Sequence, residues 1–176
     1  DGFWIQPAAG DAGGALGACY NHYYNVLGNP RLVGQSDRML GSYLGPSSTH
    51  AEIKALLKSH RAKAVEINGP KLFDAVAELL AHGKVVGWHQ GRAEFGPRAL
   101  GNRSILGDPR NTEMQKTMNL KIKYRESFRP FAPAVLDDDA ADYFELKGTS
   151  PYMLIVANVV ENLRLDQATG ETELFG

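Results

Sequence analysis

The chain is poor in the residues that often reveal chemistry by themselves. Only one of its 176 residues is cysteine. Without a second thiol, Cys19 closes no internal disulfide and has no neighbouring cysteine with which to share a metal, so a reducing, cytoplasmic setting is the default expectation. The five histidines, His22, His50, His60, His82 and His89, show no paired ligand spacing. No apolar run approaches the roughly 20 residues of a membrane-spanning helix, and no secretory leader is recognisable, so no membrane partner is expected. A phosphate-binding P-loop is excluded because no G-x-x-x-x-G-K-[S/T] run occurs. The chain opens on Asp1 and stops at Leu174-Phe175-Gly176, which reads as a piece cut from something longer.

What is present is an ordinary globular composition, 43% hydrophobic and 22% charged. The near balance of 19 basic and 20 acidic residues conceals an uneven distribution. Between Arg92 and Arg129 stand nine basic residues and four acidic ones, while the remainder holds ten against sixteen. A cationic segment inside an acidic protein directs the search for an anionic ligand to that stretch.

Periodicity and turn residues predict alternating strands and helices, hence an α/β or α+β sheet. A strand at Phe3–Ile5, a glycine-rich turn and a helix carrying Leu16, Tyr20, Tyr23 and Leu27 come first. Gly28-Asn29-Pro30 breaks that helix, and residues 29–48 read as a linker. Thr49-His50-Ala51-Glu52 fits a capping box, with Ile53, Leu56 and Leu57 as the buried stripe behind it. Further expectations are strands at 64–67, 85–88, 104–107, 131–136 and 152–160. Helices are expected over 71–82, with Leu72, Val76, Leu79 and Leu80 facing the core and Gly83 stopping it, and over 112–120.

The informative stretch is His89-Gln90-Gly91-Arg92-Ala93-Glu94-Phe95-Gly96-Pro97-Arg98-Ala99-Leu100-Gly101-Asn102-Arg103-Ser104. Its glycines and proline impose an irregular backbone between three arginines, whose planar forks bind carboxylate or phosphate oxygens in pairs. A second cluster, Lys121-Ile122-Lys123-Tyr124-Arg125-Glu126-Ser127-Phe128-Arg129-Pro130-Phe131, repeats that chemistry. In extended chain Lys121, Lys123 and Arg125 would project to one side and Ile122 and Tyr124 to the other. The plainer alternative is a set of solvated charges, or arginines pairing with Glu94, Glu113 and Glu126.

The runs from Gly91 to Leu106 and from Arg125 to Pro133 resemble the signature of the O-carbamoyltransferases of the nodulation and antibiotic-biosynthesis type. The likeness extends from Trp4 to about Val160. It implies a YrdC-like domain over 49–176, a twisted mixed sheet with flanking helices that makes carbamoyl-adenylate from carbamoyl phosphate and ATP. Residues 1–28 would be the tail of an actin/sugar-kinase-like domain, whose remainder passes the carbamoyl group to a hydroxyl of a sugar or antibiotic. In that picture Arg98 and Arg103 grip phosphates, with Arg92, Asn102 and Ser104 assisting, and Lys121, Lys123, Arg125 and Arg129 form the opposite wall. The likeness also places Asp11 at a ligand position of an iron-type site whose histidine partners lie upstream; separately, it implies Mg2+ carried by ATP as co-substrate. An H-x-D-G-T-like motif of the family is not found after Val160. Two rival readings are a nucleic-acid-binding module, disfavoured by the overall charge and the few interleaved aromatics, and a structural piece inactive without its N-terminal half.

Overall fold

A hydroxyl and a carboxylate three residues apart start the best-capped helix. The Thr49 hydroxyl accepts from the Glu52 amide at 3.3 Å, and the Glu52 carboxylate accepts from the Thr49 amide at 2.7 Å. These reciprocal bonds satisfy amides that the first helical turn leaves without partners. They also hold the Glu52 carboxyl below its usual pKa. The expected capping box is therefore present, and helix α2 runs over His50–Ser59 behind it.

The computed structural model describes residues 5–34 and 36–165. Its α-helices are α1 (Asp11–Tyr20), α2, α3 (Pro70–Ala81), α4 (Met114–Thr117) and α5 (Ala140–Tyr143). Strands β1 (Val86–His89) and β2 (Arg103–Leu106) pair into one antiparallel sheet. The wider coil of π-helix continues α1 over Asn21–Val26 and α4 over Met118–Lys123. The described chain forms two units. One takes the residues up to Glu66, with Trp88–Ser104 and Pro151–Leu154; the other takes Ile67–Gly87, Ile105–Ser150 and the residues from Ile155 onward.

The helices expected from periodicity form. Pro70 stands at the first position of α3, where its missing N–H costs nothing, and Gly83 follows its end at a φ of 72°. Several expected features do not form. The expected strand at Phe3–Ile5 lies outside the described residues at Phe3 and Trp4, and Ile5 is irregular. Residues 64–67 and 131–136 have no strand partner and stay irregular. Of 152–160, only Val159 pairs, in a single antiparallel bridge with Phe144. β-Branched residues favour a pleated surface only where a neighbouring strand supplies the cross-strand contacts. The twisted mixed sheet is thus reduced, among the described residues, to β1 and β2. On α2, Ile53 and Leu56 are 44% and 61% exposed, so that stripe is not buried. Leu79 of α3 is likewise exposed, while Leu72, Val76 and Leu80 are half-buried.

In the second unit, Met114 and Met118 are buried beside Gly107, which follows β2. A Cβ on Gly107 would lie 2.6 Å from the Met118 sulfur and 2.8 Å from Cγ of Met114. Gly107→Ala is therefore expected to lower stability by about 1–3 kcal/mol through overpacking. Thr49→Ala is expected to cost about 1 kcal/mol through loss of the cap. Urea unfolding monitored by circular dichroism reads both.

Candidate functional site

The chain leaves β1 at His89 and returns to β2 at Arg103, and the loop between them carries the first arginine cluster. Gln90 donates its amide to the Asn102 carbonyl at 3.0 Å and closes the loop at its base. Gly96 takes a φ of 107°, and a Cβ there would come within 2.7 Å of the Ala8 methyl, so a side chain is refused on both grounds. Residues 42–46 run alongside. Phe95 donates to the Ser42 carbonyl at 2.6 Å, Gly45 to Ala93 at 2.8 Å, and Ala93 to Pro46 at 2.8 Å.

Glu94 organises this loop from within. It is 4% exposed and accepts the amides of Leu100 at 2.7 Å and Asn102 at 2.8 Å on one carboxylate oxygen. The other oxygen takes Nε of Arg103 at 2.7 Å, while a terminal nitrogen of that guanidinium donates to the Glu94 carbonyl at 2.7 Å. Burial pushes the carboxyl toward neutrality, but Arg103 and the two amides outweigh it and bring the pKa from 4.5 down to about 2. Three further candidates also serve the loop. Arg92 donates to the Leu44 carbonyl at 3.0 Å, the Asn102 side-chain amide donates to the Arg92 carbonyl at 2.7 Å, and the Ser104 hydroxyl accepts the Gly101 amide at 3.1 Å. Tyr43 adds a bond from its hydroxyl to the Leu100 carbonyl at 2.6 Å.

Arg98 is different. It is exposed, and among the described residues it makes no hydrogen bond or ion pair. Its side chain borders a shallow hollow of about 80 Å³, walled also by Ala8, Ser42, Phe95, Pro97 and Tyr152. The Tyr152 hydroxyl accepts the Gly41 amide at 3.2 Å and donates to Asp37, which fixes that wall. A guanidinium without a partner among the described residues, beside a walled hollow, can bind an anion there.

In the second unit, Lys121 and Lys123 are exposed on the π-helical turn, so the expected extended alternation is not formed. The helix persists through Lys123 and ends at Tyr124, whose φ and ψ of 49° and 51° are left-handed. The chain then doubles back, and the Arg125 amide donates to the Asn119 carbonyl at 3.1 Å. The Arg125 Nε donates to Oδ1 of Asn119 at 2.6 Å, and its guanidinium carbon lies 4.8 Å from the Phe131 ring centroid. Arg129 pairs with Glu126 at 2.9 Å on the surface. The Glu126 carboxyl is held below its usual pKa by its own backbone amide and by Arg129.

Asp11 is the first residue of α1, exposed, with Gly10 at the cap and no side-chain bond there. It therefore does not cap the helix. Among the described residues no three His, Cys, Asp or Glu side chains gather as a metal would require, so these residues do not fit a metal site of their own. No described helix is long and apolar enough to cross a membrane. Glu94 and Asn119 are the structural keystones that charge counting does not single out. Their sequence signal is a lone carboxylate among arginines and a lone amide on the apolar side of a helix.

Replacing Glu94 by Gln sets an amide donor against the Arg103 guanidinium and is expected to cost about 2–3 kcal/mol in urea unfolding. The pH dependence follows from the direction of the shift. A carboxyl whose pKa is depressed on folding contributes its full stability above its unfolded value, and that stability is lost as pH falls toward the folded value. Glu94 therefore supplies on the order of 3 kcal/mol above pH 4.5 that drains away on acidification to about pH 2. Thermal melts from pH 6 to pH 2 should show a steeper acid loss in the parent than in the Gln variant.

Comparison with known proteins completes the site. The family description "Carbamoyltransferase C-terminus" matches residues 77–170, more than half of the chain. The chain is 42% identical to nodulation protein NolO of Bradyrhizobium diazoefficiens over 165 residues, which is 92% of the chain and 29% of that relative. It is 31% identical to the 3'-hydroxymethylcephem-O-carbamoyltransferase of Amycolatopsis lactamdurans over 166 residues, 94% of the chain and 29% of the relative. It is 60% identical over 175 residues to an uncharacterized Synechocystis protein, sll1178, covering 98% of the chain and 28% of the relative. The chain spans less than a third of the length of each of these relatives. By the match over residues 77–170, the chain belongs to the carbamoyltransferase family and carries its C-terminal region.

Proposed function

We propose that the chain is the substrate-activating part of an O-carbamoyltransferase. It binds carbamoyl phosphate and ATP; water releases phosphate from carbamoyl phosphate, and the carbamate oxygen then attacks the α-phosphorus of ATP with loss of pyrophosphate. The carbamoyl-adenylate so formed supplies the carbamoyl group to a hydroxyl of a sugar or natural product, with AMP as the leaving group. ATP enters as co-substrate with Mg2+, and the acceptor hydroxyl is met by the protein's own N-terminal part. The reading includes a YrdC-like architecture for the domain, preceded over residues 1–28 by an actin/sugar-kinase-like tail. The family match and the likeness to a cephem O-carbamoyltransferase support the transfer chemistry.

One observation carries the assignment of residues: Arg98 stands without a partner among the described residues at the rim of a hollow, on a loop that Glu94 and Arg103 hold rigid. Preorganised cationic donors stabilise charge on a departing phosphate without reorganising during the reaction. In this division of labour Arg103, Asn102, Ser104 and Arg92 shape the loop, and Arg98 meets the phosphoryl oxygens. The reading also assigns Lys121, Lys123, Arg125 and Arg129, in the other unit, to phosphate and pyrophosphate. The chemistry asks for positioning and electrostatics, so Cys19 needs no covalent role.

Alanine at Arg98 is expected to weaken carbamoyl phosphate binding by ~10-fold or more, the worth of a charge-assisted bond, with an unchanged urea midpoint. Calorimetric titration of the intact protein measures it. Unaltered affinity in a folded variant would overturn the role given to Arg98.

A further inference from the structure

Asn119 has no part in the reaction as described, yet its side chain is fully buried, with 0% exposure. All of its side-chain polar atoms are engaged. Its Nδ2 donates to the carbonyls of Ser127 at 2.9 Å and Arg129 at 2.8 Å, and its Oδ1 accepts Nε of Arg125 at 2.6 Å. With the Arg125 amide on its own carbonyl, Asn119 ties the end of a helix to the whole 125–129 segment. A buried amide satisfied this completely imposes one loop geometry, because any other arrangement leaves donors or acceptors unpaired in a dry site.

The consequence falls on one guanidinium. Asn119 holds Arg125 by Nε, and Phe131 lies under its face. Both fix the plane of the group, one by a directional bond and the other by stacking. The two terminal nitrogens make no hydrogen bond or ion pair among the described residues. They present parallel N–H groups in the geometry that meets two oxygens of one phosphoryl group. The left-handed Tyr124 just before Arg125 is a conformation that non-glycine residues adopt at a cost, and it is what turns the chain back onto Asn119.

We propose that Asn119 and Phe131 are positioning residues that preset Arg125 as a two-pronged fork for a phosphoryl group. The proposal deepens the assignment of Arg125 to phosphate and pyrophosphate and rests on it. Neither Asn119 nor Phe131 touches the ligand. Each acts through Arg125, so their effects should vanish when that arginine is gone.

The test is calorimetric titration of the intact protein with inorganic pyrophosphate, alongside steady-state kinetics with carbamoyl phosphate. Arg125→Ala should weaken pyrophosphate by ~10-fold, and Asn119→Ala and Phe131→Leu by ~3- to 10-fold each. In an Arg125→Ala background, either second substitution should add less than ~2-fold, the mark of residues acting through one group. Should Asn119→Ala fail to fold, Phe131→Leu and its double variant decide the matter alone. If Arg125→Ala weakens binding but the other two leave it intact, or weaken it equally with and without Arg125, the positioning proposal is overturned. If Arg125→Ala itself leaves pyrophosphate affinity unchanged, the fork is overturned along with the anion role of Arg125. Coupled losses in pyrophosphate affinity, with no turnover of carbamoyl phosphate by the parent protein, would support the fork and remove the proposed reaction.

Discussion

A carboxylate taken out of water must be given equivalent partners or it unfolds what surrounds it, and that of Glu94 is given four bonds: the backbone amides of Leu100, Asn102 and Arg103 and the Nε of Arg103, while the Glu94 carbonyl takes a second arm of the same guanidinium. Everything distinctive about the loop between β1 and β2 depends on this saturation. The amides of Leu100 and Asn102 point inward because the carboxylate draws them, and the far side of the loop is thereby turned outward with Arg98 on it. Removing a single partner of such a group leaves a buried charge unsatisfied, which costs more than the intact arrangement contributes. The loop is consequently close to all-or-none.

The second basic segment reaches a similar end with a neutral group. Asn119 is uncharged, so its burial carries a smaller desolvation cost than that of Glu94. It binds two carbonyls and one guanidinium in place of three amides and a guanidinium. In each segment, a short polar side chain buried beneath an irregular loop does the work that a hydrophobic core does elsewhere. In the first loop that choice suits the glycines and proline, which carry little apolar surface to bury. It also gives each segment an arginine whose role is structural at one end of the fork or throughout it.

The parts of this arrangement that could be read in the sequence are those decided within a few residues. The capping box at Thr49 and Glu52 is complete in four positions, and α3 declares itself by Pro70, its apolar spacing and Gly83. The two cationic stretches are visible as composition, and the long motifs within them carry the family likeness that the residue 77–170 match bears out. What the sequence hides is which arginines are spent internally. Arg103 and Arg98 look equivalent in print, and only the position of Glu94 beneath the folded loop separates them. Asn119 is hidden for the same reason, because its partners Ser127 and Arg129 lie eight and ten residues away. Strand propensity at 131–136 and 152–160 misleads because it records how side chains suit a pleated surface, and says nothing of whether a neighbouring strand is there.

The contact between Gly107, Met114 and Met118 has a chemical side beyond its packing. The largest apolar side chains buried among the described residues are both thioethers, soft and polarisable, and able to settle against a glycine where a branched residue would collide. Thioethers are also the apolar groups most readily converted to polar ones. A sulfoxide oxygen on either sulfur would need space that the missing Cβ of Gly107 shows to be absent, and it would turn an apolar contact into a polar one. This buried pair is therefore sensitive to peroxide in a way that leucine and valine would not be, and burial of the two sulfurs is what shields it.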